Sequence, residues 1–377
     1  MTPETRRPHS RVSGADAWQF DWRTCWEDVW APEFRSEWDR LLAASSSANV
    51  YHHPDLVRAW ADTHGLAIGA QPFFGIANGP DGTHVLCTFV VIVQRGRYAA
   101  RRVLGPAGLS FFAYHDPLLA GSYDPGRVDW SAFWDALRSS VGDRCDHALI
   151  PSVHATFAAG PLARTAGDES PVLALAGLAS LDEALGRCSA NHRGDVGRRL
   201  RRLRERGEVA FSIADGQASA GGALEDFHER FVPAYTTYWR SRPEGCMLDR
   251  PGVRAFVERV VSEGVPSGWA HYDRLSLNGR SIAWHIGLTF RNRMYWWIPA
   301  HDLAWQRSSP GKVLLAMLIE RAIASGVEEL HLLTGAQRYK VEWQADVVTL
   351  STLGWHAPSA KGTVLAWYDA SCRFMRR

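Results

Sequence analysis

Hydrophobic and polar positions along this chain follow two periods, and the periods change in the same order twice. Phe73–Asn78 and Val85–Val93 are apolar runs of strand length on either side of the turn Gly79-Pro80-Asp81-Gly82. Apolar positions then recur at helical spacing from Trp130 to Ser140, and Gly142 precedes a short strand, His147–Ile150. In the second half, Trp269–Leu277 and Ile282–Phe290 flank Asn278-Gly279, the strongest short hairpin signal. A strand at Met294–Ile298, a helix from Lys312 to Ser325, Gly326 and a strand at Leu330–Leu333 complete the unit. Hairpin, strand, helix, strand therefore occurs twice, which predicts an α/β fold of two similar units.

One strand divides by parity. Ile282, Trp284, Ile286, Leu288 and Phe290 share a face that must be core. Ser281, Ala283, His285, Gly287 and Thr289 share the other, a small, polar face with room for a ligand and one imidazole at its centre. Between the halves, Ala158 to Pro171 is rich in Gly, Ala and Pro and predicts a loop. Arg198–Arg206 then forms a basic helix stopped by Gly207, its arginines spread over several faces as on a solvated helix. The segment from Ser359 to Arg377 predicts a last helix. These divisions give a tail over 1–17, a first unit over 18–171 and a second over 172–377.

Composition narrows the class. With 46% hydrophobic and 22% charged residues over 377 positions, the chain has the make-up of a globular protein of two domains. A net charge of +2 does not make the whole molecule a polyanion binder. No apolar run approaches the ~20 residues that span a bilayer, and the polar first 17 residues lack the apolar region of a secretory signal. The six cysteines have no paired spacing, which argues against zinc or a disulfide framework and for a reducing cytoplasm. Lysine is rare: only Lys312, Lys340 and Lys361 occur among 42 basic residues.

Two of those lysines fall where chemistry is expected. Gln306-Arg307-Ser308-Ser309-Pro310-Gly311-Lys312 precedes the apolar helix and predicts a helix N-terminus with free N–H groups, suited to phosphate. His331 interrupts an apolar strand, so it must be paired or used. Tyr339-Lys340 follows just beyond that strand's C-terminal end, where α/β proteins place ligands.

The run Ile282-Ala283-Trp284-His285-Ile286-Gly287-Leu288, then Tyr295, Pro299-Ala300-His301-Asp302, Ser309-Pro310-Gly311 and Gly335…Tyr339-Lys340 with Trp343 resembles the CelD-like branch of the GNAT superfamily. That branch is related to the FemAB-like peptidyltransferases. The resemblance extends to the first half through Asn49-Val50-Tyr51-His52-His53-Pro54 and Tyr114-His115-Asp116-Pro117. It implies two tandem GNAT-like domains side by side, the first degenerate, the second holding the acyl donor. It implies N-acyl transfer to an amine of a small-molecule, saccharide or peptide acceptor, from acyl-CoA or alternatively from aminoacyl-tRNA, without a metal. A non-catalytic accessory protein is the remaining alternative. Relatives carry an aspartate where this chain has His331 and an acidic Gly-Asp-Glu where it has Gly335-Ala336-Gln337.

The reaction's needs assign roles. An ammonium acceptor must lose a proton before it attacks, so His285 and His331, both expected to face the cleft, are the candidate bases. Backbone N–H groups near Trp297–Ala300 would hold the oxyanion. Tyr339 would protonate the leaving group. Gln306, Arg307, Ser308, Ser309, Gly311 and Lys312 would hold donor phosphates, and Lys340, Tyr114 and Asp116 the acceptor or an anionic group.

Overall fold

The computed structural model describes residues 18–95, 100–121, 124–160, 162–335 and 337–374, so the predicted tail and Ala336 lie outside the described residues. In the first half, β1 (Gln19–Arg23), β2 (Gln71–Asn78), β3 (His84–Arg95) and β4 (Ala100–Pro106) run antiparallel. Helices α1 (Pro32–Ala44) and α2 (Pro54–Trp60) join β1 to β2. A two-residue β5 (Leu118–Leu119) pairs with β3, and α3 (Trp130–Val141) leads to β6 (His147–His154), which lies parallel to β4.

The second half repeats this order after β7 (Ala163–Ala174) and α4 (Ala190–Arg204). Strand β8 (Val209–Ala214) is followed by α5 (Gln217–Asp226), α6 (Val232–Arg240) and α7 (Val253–Arg259). Then β9 (Ala270–Leu277), β10 (Arg280–Phe290) and β11 (Arg293–His301) run antiparallel. Helix α8 (Pro310–Ala324) leads to β12 (Glu329–His331), parallel to β11. Strand β13 (Asp346–His356) and helix α9 (Ala360–Phe374) close the chain.

The halves interlock. Strand β7 leaves the first half to pair with β12 of the second, β13 leaves the second to pair with β6 of the first, and β7 and β13 pair with each other. Among the described residues this makes one 13-stranded sheet in the order β1-β2-β3-β4-β6-β13-β7-β12-β11-β10-β9-β8, with β5 beside β3. The stretch expected as a loop is thus a strand from Ala163 onward. Its weak local propensity is overridden because it has a partner on each edge. One apolar core, holding Trp38, Phe74, Phe231 and Tyr295, runs across both halves. The other face carries a separate core under each half, around α8 in the second and α3 in the first.

Each parallel pair is short, and beyond it the two strands splay. In the second half only Arg293–Tyr295 of β11 pairs with β12, so β11 continues to His301 with an open edge. In the first half only Val103 and Leu104 pair with β6. That splay is plugged: the His115 N–H donates to the Ser152 carbonyl (3.1 Å), and the Asp116 carboxylate accepts from the His154 N–H (2.8 Å). About 10 Å³ remains beside the plug, enough for no more than a water. The second half keeps its splay open.

Candidate active site

The open splay forms one wall of a cleft of about 840 Å³. Strand β11 lines it from Trp296 to His301, and Leu333, Thr334, Gln337, Tyr339 and Lys340 line it from the far side of the splay. The first turn of α8, Ser309 to Lys312, closes one end, while Tyr235, Tyr238 and Trp239 of α6, with Met247, close the other. Ser110–Ala113 of the first half complete the wall, and Phe111 accepts a hydrogen bond from the Trp297 indole N–H (2.9 Å).

The end at α8 is a helix N-terminus without a side-chain cap. Ser309 sits at φ 49° and its side chain does not cap the helix; its hydroxyl instead accepts from Arg199 of α4 (2.5 Å). Pro310 has no N–H and the Lys312 N–H bonds the Ser309 carbonyl (3.1 Å), while a Cβ on Gly311 would meet nothing within 4 Å, so the first turn offers the cleft its backbone at Gly311. Arg206 donates to the Ser308 hydroxyl (3.2 Å). Helix α4 therefore braces the loop, and its arginines are not all solvated. Lys312 is already engaged with Asp195 (2.9 Å) and Glu342 (2.8 Å), which ties α4 and α8 to the chain after β12. Burial pushes the Asp195 carboxyl up, but hydrogen bonds from Arg199 and Lys312 outweigh it and hold it well below the usual carboxylate range.

On the far side of the splay, Leu333 at φ 62° turns the chain back on itself, an outlying conformation for a bulky residue. Its carbonyl and that of Thr334 accept from the Lys340 ammonium (3.2 and 2.9 Å). Lys340 is 5% exposed, and burial pulls its pKa down to about 8. Tyr339 accepts from the Trp296 indole N–H (3.2 Å), and burial raises its pKa, so it holds its proton at neutral pH.

The two expected bases lie elsewhere. His285 is fully buried on the face of β10 that packs under α8, away from the cleft. Its Nε2 accepts from the Trp297 backbone N–H (3.0 Å), so its proton is on Nδ1, which donates to Asp273 (2.7 Å). Burial pushes its pKa down to about 4. His331 is wedged at the junction of the halves: Nδ1 bonds the Tyr114 hydroxyl (2.9 Å), Nε2 bonds Glu329 (3.0 Å), and the ring stacks on Tyr295. A polar residue in this strand is indeed paired, by Tyr114 and Glu329. Tyr114 also bonds Ser170 (2.7 Å), and Asp116 bonds His154 within the plug of the first half, so neither lines the cleft.

The small face of β10 is small for a different reason than a ligand. A Cβ at Gly287 would stand 2.2 Å from the His271 ring and 2.6 Å from His285, so the missing side chain makes room for an imidazole. Gly287→Ala is expected to destabilise the protein by roughly 2–3 kcal/mol through overpacking. A lower denaturant midpoint at unchanged m-value would register it. The expected parity also breaks at Ile282: a bulge between Ser281 and Ala283 sends Ile282 to the core under α8, while Trp284, Ile286 and Leu288 face the shared core.

The backbone donors of β11 are mostly spent. Asp302 N–H bonds the Ile282 carbonyl, so by alternation the N–H groups of Ala300 and Ile298 also point at β10. Trp297 gives its N–H to His285, and residue 299 is proline. Of this stretch, the N–H that faces the splay by alternation is that of His301. The expected oxyanion donors at Trp297–Ala300 are therefore occupied or absent.

The acetyltransferase (GNAT) domain family matches residues 190–341. This segment, which holds the splay, α8 and the short helix Arg338–Val341, is similar to GNAT acetyltransferase domains. Among solved structures, the C-terminal domain (DUF2156) of a predicted lysylphosphatidylglycerol synthetase from Agrobacterium fabrum superposes with a TM-score of 0.53 at 11% identity, covering 89% of this chain and 96% of that one. FemX superposes with a TM-score of 0.53 at 10% identity, covering 83% of this chain and 97% of that one. No curated protein matches the chain significantly. At these identities the solved structures show the fold alone, a mixed α/β architecture of two similar halves.

Within the segment that matches the GNAT family, the structure gathers Gln306, Ser309, Gly311, Lys312, Tyr339 and Lys340 around one cleft. It leaves Arg307, Ser308, His285 and His331 off that wall. Sequence reasoning passed over His301, whose half-buried imidazole lines the cleft and packs edge-on against Tyr238 (5.1 Å). Burial and the nearby Arg242 lower its pKa. It also passed over His271 and Asp273. Their alternate spacing on β9 was a signal, because it puts both on one face. Among the described residues, His271, Asp273 and His285 are the set whose donor atoms cluster as a metal's ligands would, within 4.8 Å of one another. No helix among the described residues is long and apolar enough to cross a membrane.

Proposed function

We propose that the protein is an N-acyltransferase that takes an acyl group from an acyl thioester, acyl-CoA, and delivers it to an amine. The observation that carries this reading is the meeting, in one cleft, of the open β11/β12 splay, the uncapped first turn of α8, and Tyr339 with Lys340. The donor's pyrophosphate would rest on the α8 N-terminus at Ser309 and Gly311, with Gln306 beside it. Its pantetheine arm would run along the free edge of β11. The amine would enter from the aromatic end at Tyr235, Tyr238 and Trp239.

In this arrangement His301 takes the base role first expected of His285 and His331. Its lowered pKa leaves it neutral near pH 7.5, and it lies on the cleft wall. Tyr339 would return a proton to the departing thiolate. Lys340, mostly protonated below its pKa of about 8, would hold the developing negative charge or an anionic substrate group. His301→Gln is expected to lower kcat by roughly 10²-fold and to flatten the acidic limb of the pH–rate profile. Wild-type turnover in that variant would remove His301 from the mechanism.

Gly311→Val tests the donor site. A side chain there enters open space, so the fold is unaffected, but it would cover the first turn of α8. The dissociation constant for CoA, measured by calorimetry, is expected to rise tenfold or more. An unchanged constant would exclude this helix end. Aminoacyl-tRNA is the second reading, favoured by the exposed Arg198, Arg201, Arg202 and Arg204 on the helix that braces the donor loop. Binding of tRNA that weakens steeply with salt, without CoA binding, would select it.

A further inference from the structure

Asp273 is fully buried with a histidine on each side: His271 Nδ1 lies 3.0 Å from both carboxylate oxygens, and His285 Nδ1 lies 2.7 Å from Oδ2. Burying three ionisable groups in a sheet core is costly and adds little to stability that apolar side chains would not supply. The cluster has two outlets, and both lead to the cleft. His285 Nε2 holds the Trp297 N–H at the point where β11 bulges, two residues facing the single Gly287 between the pairs Ile286–Ile298 and Leu288–Tyr295. The His285 ring also stacks on Trp296, with centroids 4.0 Å apart at 14°, and that indole donates to the Tyr339 hydroxyl.

We infer that His271, Asp273 and His285 form a positioning relay that fixes the β11 bulge and, through Trp296, the hydroxyl of Tyr339. The carboxylate selects the Nδ1–H tautomer of His285, and only that tautomer leaves Nε2 bare to accept the Trp297 N–H. The other tautomer would set N–H against N–H and push the bulge open. His271 clamps the second side of the carboxylate, and Gly287 exists to admit its ring. His285 touches no reacting atom; it acts through Trp296 and Trp297.

The role of Tyr339 rests on the acyltransferase reading, but the relay does not, so the experiment has separate readouts. Imidazole nitrogen shifts of the wild-type protein are expected to show His285 protonated at Nδ1 and bare at Nε2 from pH 6 to 9. A proton on Nε2 would overturn the relay. His285→Gln places a carbonyl where Nε2 was, while His285→Asn keeps a donor toward Asp273 and loses the link to Trp297. Hydrogen exchange at the Trp297 amide is expected to stay slow in the first and to speed up at least tenfold in the second. Equal exchange in both would overturn the proposal, as would stoichiometric zinc in the purified protein that His271→Gln removes.

Activity supplies the last readout, with acetyl-CoA and hydroxylamine as probes. His285→Asn is expected to lose tenfold or more in kcat at unchanged KM for acetyl-CoA and an unshifted pH profile, and His285→Gln to retain most of it. Equal losses in both variants would make the cluster merely structural. If the wild type transfers no acyl group, the acyltransferase reading fails while the tautomer and exchange readouts still decide the relay.

Discussion

A fragment carrying residues 172–377 alone is expected not to fold, although it contains the whole GNAT domain match and the loop proposed to hold the donor. Strand β13 finds both of its partners, β6 and β7, in residues 147–174, and the cut leaves only the last three residues of β7. Eleven residues of β13 would lose their ladder, exposing Leu350, Leu353 and Trp355, all now buried. The shared core would open as well, since Phe111 packs on Phe256 and Tyr51 on Tyr295 across the halves. At roughly 1.5–3 kcal/mol for each of these five large side chains uncovered, the loss is as large as the ~5–15 kcal/mol that stabilises a domain. Circular dichroism in the near ultraviolet and gel filtration check this. Co-expression with residues 18–171 is expected to restore a soluble complex, and a monodisperse, cooperatively melting 172–377 fragment would show that the strand exchange is dispensable.

Acid is expected to unfold the protein well above the pKa range of its carboxylates. Burial pushes both His115 and His285 down to about 4, whereas in the unfolded chain each returns to about 6.5. Between those values the unfolded chain binds protons that the folded chain refuses, so stability rises with pH across the window. The full stability is present above about pH 6.5 and is lost progressively toward pH 4. A difference of 2.5 pKa units corresponds to about 3 kcal/mol for each histidine as an upper bound. His52 and His331 are lowered by burial too and act in the same direction. His154 opposes them: burial lowers it, but Asp116 outweighs burial and raises it, so its contribution is complete below 6.5 and fades as pH rises. Urea titrations at pH 7 and 5 should show the loss. His115→Gln should reduce the slope of stability against pH by up to one proton, and an unchanged slope would mean that His115 is not buried neutral.

The pH window and the fragment experiment bear on the same junction. His331, Tyr114 and Ser170 come from β12, the first-half plug and β7, and they meet where the exchanged strands cross. A histidine there bonds both Tyr114 and Glu329 without bringing a second carboxylate beside Glu329. Packing and charge alone therefore account for a histidine at this junction, which lies off the cleft wall.

Most of the local structure of this protein was legible in its sequence. The Asn278-Gly279 turn forms with both residues at positive φ, 52° and 75°, because asparagine and glycine accept that conformation most readily. Helix α8 begins at Pro310, where a fixed φ and a missing N–H suit a first turn. The duplicated order of hairpin, strand, helix and strand was readable for the same reason: each period reflects burial on one face of one element. What the sequence could not state was which elements become neighbours. Strand β7 has few apolar signals because its stability comes from β12 and β13, partners far away in the chain. The facing of His285 was decided by one residue. A tight turn at Asn278-Gly279 without a bulge would set Asp273 opposite Trp284; the extra residue Ile282 shifts the ladder so that Asp273 stands opposite His285. A bulge follows from how a sheet packs against its helices and not from local propensity, so the sequence named the histidine but only the tertiary structure turned it away from the cleft.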